Sequence, residues 1–339
     1  MRTLCVIAIA AMLVTMLSPA VMADGRNAGS VLVFPVHRSG QGFFTVICVT
    51  NTNLMPQTPN SFGGSTNVHY EYVNVIPGAN PWSPAGCVIF DRVEFLTPAD
   101  SLCVLTACHN AFAPGGQEGY VVVSAEDPAL PPGNAWSHNY LIGSELVVSA
   151  GGVAYSVNAI PFSSPVAAGM ATDLNGNTQL DFDGAEYEEI PDVLYIDSFI
   201  AVANSQLALI NLTGGPLDIN TIYISVWNDN EFALSATKSF NCWFDIPLHD
   251  VSPLFTQAFL ASTINAPGEL DLNCDGIGDV ETGWASIDSI NVANPGGASI
   301  SNDGALLGSL TAGLVGPAAG GRLLWESTTT QANGSAFNP

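Results

Sequence analysis

The chain has 339 residues, 47% of them hydrophobic and 11% charged, with 6 Lys or Arg against 30 Asp or Glu and a formal net charge of −24. Such apolar content offsets the entropy of ordering and excludes an intrinsically disordered chain, while an almost purely acidic surface excludes a nucleic-acid partner, which needs basic patches. At roughly 150 residues per domain the length suggests two domains.

The first stretch, MRTLCVIAIAAMLVTMLSPAVMA, places Arg2 ahead of an apolar run from Leu4 to Leu17, with the small residues Val21 and Ala23 before the polar Asp24. This pattern predicts a secretory signal peptide over residues 1–23, and the run is short for a membrane span of roughly 20 residues. Cleavage leaves Arg26, Arg38, Arg92, Lys238 and Arg322 against 30 acids, a charge of 5 − 30 = −25. The expected location is extracellular or periplasmic, with no membrane span in the mature form. Cations are expected to relieve the self-repulsion of so large a charge.

Short β-branched or aromatic segments bounded by Gly, Pro, Asn or Asp then follow one another: SVLVFPV, FFTVICVT, VHYEYVNVI, CVIFDRVEF, GYVVVSAE, ELVVSA, DVLYIDSFIAV, QLALINLT, TIYISVW, ATKSFNCWFDI and RLLWES. Spacing of this kind predicts an all-β chain of sandwich type, with short helical turns only around ADSLCVLTA and SPLFTQAFLAS. The two halves show the same order of segments. Phe44 lies on Leu207, Leu102 on Phe255, Tyr120 on Trp284 and Gly143 on Gly308, at offsets of 163, 153, 164 and 165. The expectation is two tandem immunoglobulin- or fibronectin-like β-sandwiches related by an internal duplication: 24–165, an acidic linker at 166–190, and 191–339. The third anchor pair is 11 residues further from the second in the second half, which places an insertion around DLNCDGIGDVET, residues 271–282.

Six cysteines follow Cys5, and an even number in an exported chain reads as disulfides. Four fall in the first half and two in the second, which favours Cys242 with Cys274 and two bridges among Cys48, Cys87, Cys103 and Cys108. A thiolate metal site is the rival reading, but no CxxC spacing is present.

Two acidic loops carry the candidate chemistry. DLNGNTQLDFDGAEYEE places Asp173, Asn175 and Asn177 at loop positions 1, 3 and 5, Gln179 at 7 with its carbonyl, and Asp181 at 9, with Asp183 or Glu186 to close the shell. DLNCDGIGDVET places Asp271, Asn273 and Asp275 likewise, then Gly276, the Ile277 carbonyl and Asp279, with Glu281 or Thr282 as the last ligand. Calcium takes six to eight oxygen ligands, which alternate short oxygen side chains on a turning backbone supply. Thr178 departs from the usual turn glycine at position 6, and neither loop has the acidic closing residue at position 12. Both departures predict weak affinity. Acidic surface turns are the plainer alternative. The DLNCDG core resembles the calcium loops of dockerin repeats and, more loosely, EF-hands, over about twelve residues. No paired second loop follows, so cohesin binding is not implied.

No HExxH or GxSxG is present, and His37, His69, His109, His138 and His249 are scattered; His109 beside Cys108 and His249 beside Asp250 are the only suggestive neighbours. No convergent catalytic constellation emerges. VLVFPV, TVICVTNTN, NYLIG, INLTGG and ETGW resemble a group of uncharacterised secreted proteins from environmental bacteria; the resemblance implies export and a β scaffold and brings no activity. The sequence thus points to a non-catalytic, calcium-stabilised structural or interaction protein of the cell exterior, a surface or matrix component. Its expected partners are other extracellular proteins or polysaccharides, or its own copies bridged by cations. The alternative is a carbohydrate-binding module or glycan-acting enzyme, whose stacking rings would be Trp82 and Trp136 in loops. Trp227, Trp243 and Trp284 fall inside strand patterns and read as core.

Overall fold

The computed structural model describes residues 27–40, 42–76, 86–111, 117–149, 154–191, 193–201, 205–264, 268–312, 320–323, 325–326 and 335–337. The expected signal peptide and Trp82 lie outside these residues. The chain is all-β. The first half contributes β1 (Val31–Ser39), β2 (Phe43–Asn51), β3 (Thr66–Ile76), β4 (Gly86–Leu96), β5 (Ser101–Leu105), β6 (Gln117–Glu126), β7 (Leu141–Ser149), β8 (Ala154–Asn158) and β9 (Ile160–Phe162). These make one sheet of order β4-β3-β6-β1-β9 and a second of order β5-β2-β7-β8. After β10 (Leu180–Phe182) come β11 (Val193–Ile200), β12 (Gln206–Asn211), β13 (Ile219–Asn228), β14 (Ala233–Asn241), β15 (Trp243–Pro247), β16 (Thr282–Ala293), β17 (Ser299–Ser301), β18 (Leu306–Ala312), β19 (Gly320–Leu323), β20 (Trp325–Glu326) and β21 (Ser335–Phe337). Their sheets run β14-β13-β16-β11-β20 and β15-β12-β18-β19, with β17 on β16 and β10 paired to β21. Every pairing between named strands is antiparallel.

The two sandwiches have one strand order. Reading β11–β16, β18, β19 and β20 for β1–β9 converts the first pair of sheets into the second. The correspondence reaches single residues. The β1–β6 register shifts between Phe34 and His37, and the β11–β16 register shifts between Ile196 and Phe199, both 162 residues on; the residues opposite are Gly119 and Gly283. Tyr120 pairs with Val73 as Trp284 pairs with Trp227, and Gly143 pairs with Val49 as Gly308 pairs with Leu209.

The other two anchors are corrected. Ile47 and Val49 face the first core as Leu207 and Leu209 face the second, so β2 maps to β12 at an offset of 160. The sequence match at 163 slips by three residues, an odd number that would exchange the core and solvent faces. Cys103 opposite Cys48 corresponds to Asp245 opposite Ala208, an offset of 142 where the sequence match had 153. The insertion is accordingly larger than expected. The connection from β15 to β16 has 34 residues against 11 from β5 to β6. It holds a four-residue helix matching Thr106–His109, then a 3-10 turn at Pro253–Phe255, the helix Gln257–Ile264 and the acidic loop.

Three apolar layers separate the four sheets. Leu32, Phe34, Val121 and Val123 pack against Ile47 and Val49 inside the first sandwich, and Leu207 and Leu209 pack against Ile222, Ile224 and Ile287 inside the second. The alternate residues of the same strands, Val31, Val33, Tyr120 and Val122 on one side and Ala208 and Ile210 on the other, make a middle layer between the sandwiches together with Trp243. This explains why β1 and β6 read as continuous apolar runs and β14 as strict alternation: the former are covered on both faces, the latter on one. The segment between the sandwiches belongs to the middle layer through Phe182, Tyr187 and Ile190.

The cysteine pairing differs from expectation. Cys48 bridges Cys103 across β2 and β5, and Cys242 bridges Cys87 of the first sandwich, leaving Cys108 and Cys274 as exposed thiols. Pairing by half fails because the middle layer brings Cys87, at the start of β4, to the β14–β15 turn that carries Cys242.

Candidate metal centres

The two acidic loops adopt one backbone design. In the first, Asp173 accepts the N–H of Gly176 and of Thr178, Asn175 accepts that of Asn177, and Asn177 accepts that of Gln179. In the second, Asp271 accepts the N–H of Cys274 and of Gly276, Asn273 that of Asp275, and Asp275 that of Ile277. Positions 4 and 6 have positive φ in both: Gly176 at 76° and Thr178 at 62°, Cys274 at 63° and Gly276 at 85°. Thr178 therefore takes the left-handed conformation that glycine supplies elsewhere, a strained state for a β-branched residue that survives only where its surroundings over-determine it.

The loops differ in how they close. In the first, Asp181 and Glu186 are both buried. Asp181 Oδ2 accepts the side-chain amides of Asn175 and Asn177, and Glu186 Oε1 accepts the N–H of Leu174 at 2.7 Å and of Asn175 at 3.3 Å. Asp181 Oδ1 and Glu186 Oε2 are buried and have no hydrogen-bond partner. Burial, and then the charges of Asp181 and Asp173, raise the Glu186 carboxyl above its usual range. Of the two closing residues the sequence left open, Glu186 turns into the loop, whereas Asp183 is exposed and accepts the N–H of Ala185 and Glu186.

The second loop is open to solvent. Asp279 accepts the Leu272 N–H at 3.0 Å, and the backbone N–H groups, that of Gly276 foremost, hold the Asp271 carboxyl below its usual range. Glu281 is fully buried, beside Asp229. Its N–H donates to Gln257 and its carbonyl accepts from Ala201, while burial, and then the neighbouring Asp229 charge, push its carboxyl up to about 7. Thr282 begins β16 and donates its N–H to Asp229. The helix in the insertion carries the Gln257 that accepts the Glu281 N–H, a contact that no loop spacing reveals.

The histidines flagged by their neighbours do not form a catalytic pair. His109 Nδ1 contacts the Tyr72 hydroxyl at 2.7 Å and its Nε2 contacts Glu94 at 3.2 Å, so both ring nitrogens are engaged away from Cys108. His249 lies 3.6 Å from Asp250 at the surface. Trp136 stacks on His138 and donates to Thr66, and Trp243 is core, but Trp284 is exposed and stacks on Trp227 at 3.9 Å with Tyr195 beyond it at 6.3 Å. The reading of Trp227 and Trp284 as core is thus corrected: they line the outer face of the second sandwich. Sequence reasoning also missed a grouping of His69, Glu71 and Asp91, whose only local signal is a His and an acid two residues apart on one face of a strand. No family model, curated protein or solved structure matches this chain.

Proposed function

We propose that this chain is a secreted, calcium-stabilised, non-catalytic structural or interaction protein of the cell exterior. The observation that carries the reading is the first loop, where Asp181 Oδ1 and Glu186 Oε2 are buried without a hydrogen-bond partner and the charges of Asp181 and Asp173 act on Glu186. Buried carboxylates are found paired or on a metal, and residues 154–191 contain no Lys, Arg or His. An all-oxygen set suits a hard cation such as calcium better than magnesium, which resists dehydration. Two disulfides, and the absence among the described residues of any helix long and apolar enough to cross a membrane, agree with export. Descent of the two sandwiches from an internal duplication is supported by their common strand order and bulge.

The test follows the melting temperature during calcium titration at fixed ionic strength. A ligand at a hundredfold excess over its dissociation constant stabilises by about 2.7 kcal/mol. Asp173→Ala should remove most of that shift. Glu186→Gln should reduce it while raising the stability of the calcium-free protein, because it relieves a buried like-charge cluster; a carboxylate with a purely structural role would show the opposite sign. A melting temperature indifferent to calcium and chelator defeats the reading.

The second reading, a glycan-binding module, is favoured by the Trp227–Trp284 stack, whose rings are inclined by 7°. The register sets Ser225 against Ser286 and Tyr223 against Asp288 in the next rows of the same face, giving polar groups beside a flat aromatic surface. Retention on insoluble polysaccharides that Trp284→Ala abolishes would favour it; no retention on any of them would remove it.

A further inference from the structure

A second cluster lies on the five-stranded sheet of the first sandwich, apart from both acidic loops. His69 and Glu71 project from one face of β3, and Asp91 of β4 stands directly opposite Glu71. One ligand atom from each of the three lies within 4.8 Å of the others, and His69 Nε2 is 3.5 Å from Asp91 Oδ1. Like charges directly opposite on neighbouring strands are destabilising, and a cation between Glu71 and Asp91 would relieve that pair. Glu126, at the end of β6, gives the independent sign of one. It is 2% exposed, its Oε1 lies 3.1 Å from His69 Nδ1 and accepts the Gly133 N–H, and its Oε2 is buried with no hydrogen-bond partner. A carboxylate on the Nδ1 side fixes the imidazole tautomer and leaves the Nε2 lone pair for a metal, the arrangement that orients histidine ligands in metal sites.

We propose that His69, Glu71 and Asp91 form a binding site for a first-row divalent transition metal of the zinc class, with Glu126 as the residue that positions His69. One imidazole and two carboxylates select such a metal over calcium, which takes oxygen ligands. Metal bonds of about 2.0 Å set tetrahedral ligand atoms roughly 3.3 Å apart, closer than the present spread. The closing movement falls to Asp91, whose side chain is 61% exposed, while His69 is held by Glu126. Three protein ligands leave a fourth position toward solvent. Without a metal, a protonated His69 is the alternative cation for these carboxylates, and burial, opposed by Glu126, Glu71 and Asp91, leaves that imidazole above its ordinary range.

The proposal is independent of calcium at the acidic loops, and the experiment separates the two. The purified chain, with Cys108 and Cys274 alkylated and calcium in excess, is titrated with zinc against a chromophoric chelator, and with cobalt to read the d–d spectrum. One equivalent is expected, bound by the parent and by Asp173→Ala alike. His69→Gln should abolish binding, Asp91→Asn should weaken it, and Glu126→Gln should weaken it 10- to 100-fold. Circular dichroism checks that each variant folds; Asp91→Asn, at an exposed position, decides the matter if His69→Gln does not fold. Absence of zinc binding by the parent, or the same affinity in His69→Gln or Asp91→Asn, overturns the proposal in favour of a protonated His69 that merely neutralises its neighbours.

Discussion

Trp243 gives the sharpest test of the four-sheet arrangement. The bulge of β1 leaves Pro35 outside the β6 ladder, and Trp243 Nε1–H donates to the Pro35 carbonyl at 2.8 Å from the opposite side of the middle layer. Two residues along, Asp245 meets Arg38 at 2.7 Å, so the bulged segment is what docks the first sandwich on β15. Trp243 is 5% exposed. Truncation of a buried Trp to Ala costs about 3–5 kcal/mol through lost burial and the cavity left behind, and an orphaned carbonyl adds about 1–3 kcal/mol. Trp243→Ala should therefore cost at least about 4 kcal/mol, a large share of a total stability of about 5–15 kcal/mol. Trp243→Phe keeps most of the apolar surface and should cost only the hydrogen-bond part, about 1–3 kcal/mol.

The assay is urea unfolding at fixed calcium, read in parallel by near-ultraviolet circular dichroism and by the hydrodynamic radius. Each sandwich keeps its own core around Ile47 or Leu209. Weakening the middle layer should consequently split one transition into two in Trp243→Ala, with the probes no longer coincident. A loss below about 1 kcal/mol with coincident transitions would refute the shared layer, since no buried Trp that bonds across an interface is that cheap to remove.

Three further outcomes are expected. In the chain-entropy account, cross-linking a 155-residue segment through Cys87–Cys242 is worth about 5 kcal/mol and a 55-residue one through Cys48–Cys103 about 4 kcal/mol; the paired alanine variants should rank in that order, and a Cys242–Cys274 peptide in the mass spectrum would contradict the fold. A Cβ at Gly119 would stand 1.9 Å from the Val73 carbonyl oxygen and one at Gly283 2.2 Å from that of Trp227, so Gly119→Ala and Gly283→Ala should each cost about 2–3 kcal/mol in thermal melts, and a cost within experimental error at either would show that the bulge is not held as described. Burial above all, with the Asp245 charge adding to it, raises the Glu145 carboxyl well above its usual range; the folded chain then retains a proton that the unfolded chain releases above about pH 4.3, stability falls as pH rises from there toward the folded-state value, and Glu145→Gln should flatten that fall in pH-dependent denaturation, whereas an unchanged profile would exclude Glu145 as its source.

Much of the scaffold was legible because strand periodicity is local. The failures mark where information is long-range. The slip at β2 arose from matching FTVICVTNT to LALINLTGG by similarity, when side-chain direction required Ile47 on Leu207. The Leu102–Phe255 match set a residue of β5 on the 3-10 turn at Pro253–Phe255, and the helical turn expected around ADSLCVLTA begins only at Thr106, after that strand. The contrast between continuous and alternating apolar runs, left unread in the sequence, is the local signal that separates inner from outer strands and that the sandwiches share a layer. With that layer recognised, a bridge between halves such as Cys87–Cys242 becomes natural. The loop spacing was visible in full, down to Asp181 and Asp279. The closing residues were not, because burial of Glu186 depends on the segment folding back, and that of Glu281 on Asp229 and Gln257 from elsewhere. The His69 cluster needed the registers of β3 with β4 and β6, which no single segment contains.

The positions of the two loops bear on what each can do. The first loop is flanked by Phe182, Tyr187 and Ile190, all in the layer between the sandwiches, and the Tyr187 hydroxyl bonds Thr172 at 2.7 Å just ahead of Asp173. A cation that neutralised Asp173, Asp181 and Glu186 would therefore remove repulsion beside the layer that the two sandwiches share, and its binding energy would enter the stability of that layer. The second loop projects from an insertion that the first sandwich lacks, with Leu272 to Ile277 exposed and with anchors in the Leu270–Val280 bridge and in the Glu269 N–H donated to Asp229. Occupation there would act first on the loop's own exposed residues. The two loops, alike in backbone, are thus unlike in setting: a cation in the first would act beside the layer shared by the sandwiches, and one in the second at a surface that carries the exposed Cys274 thiol.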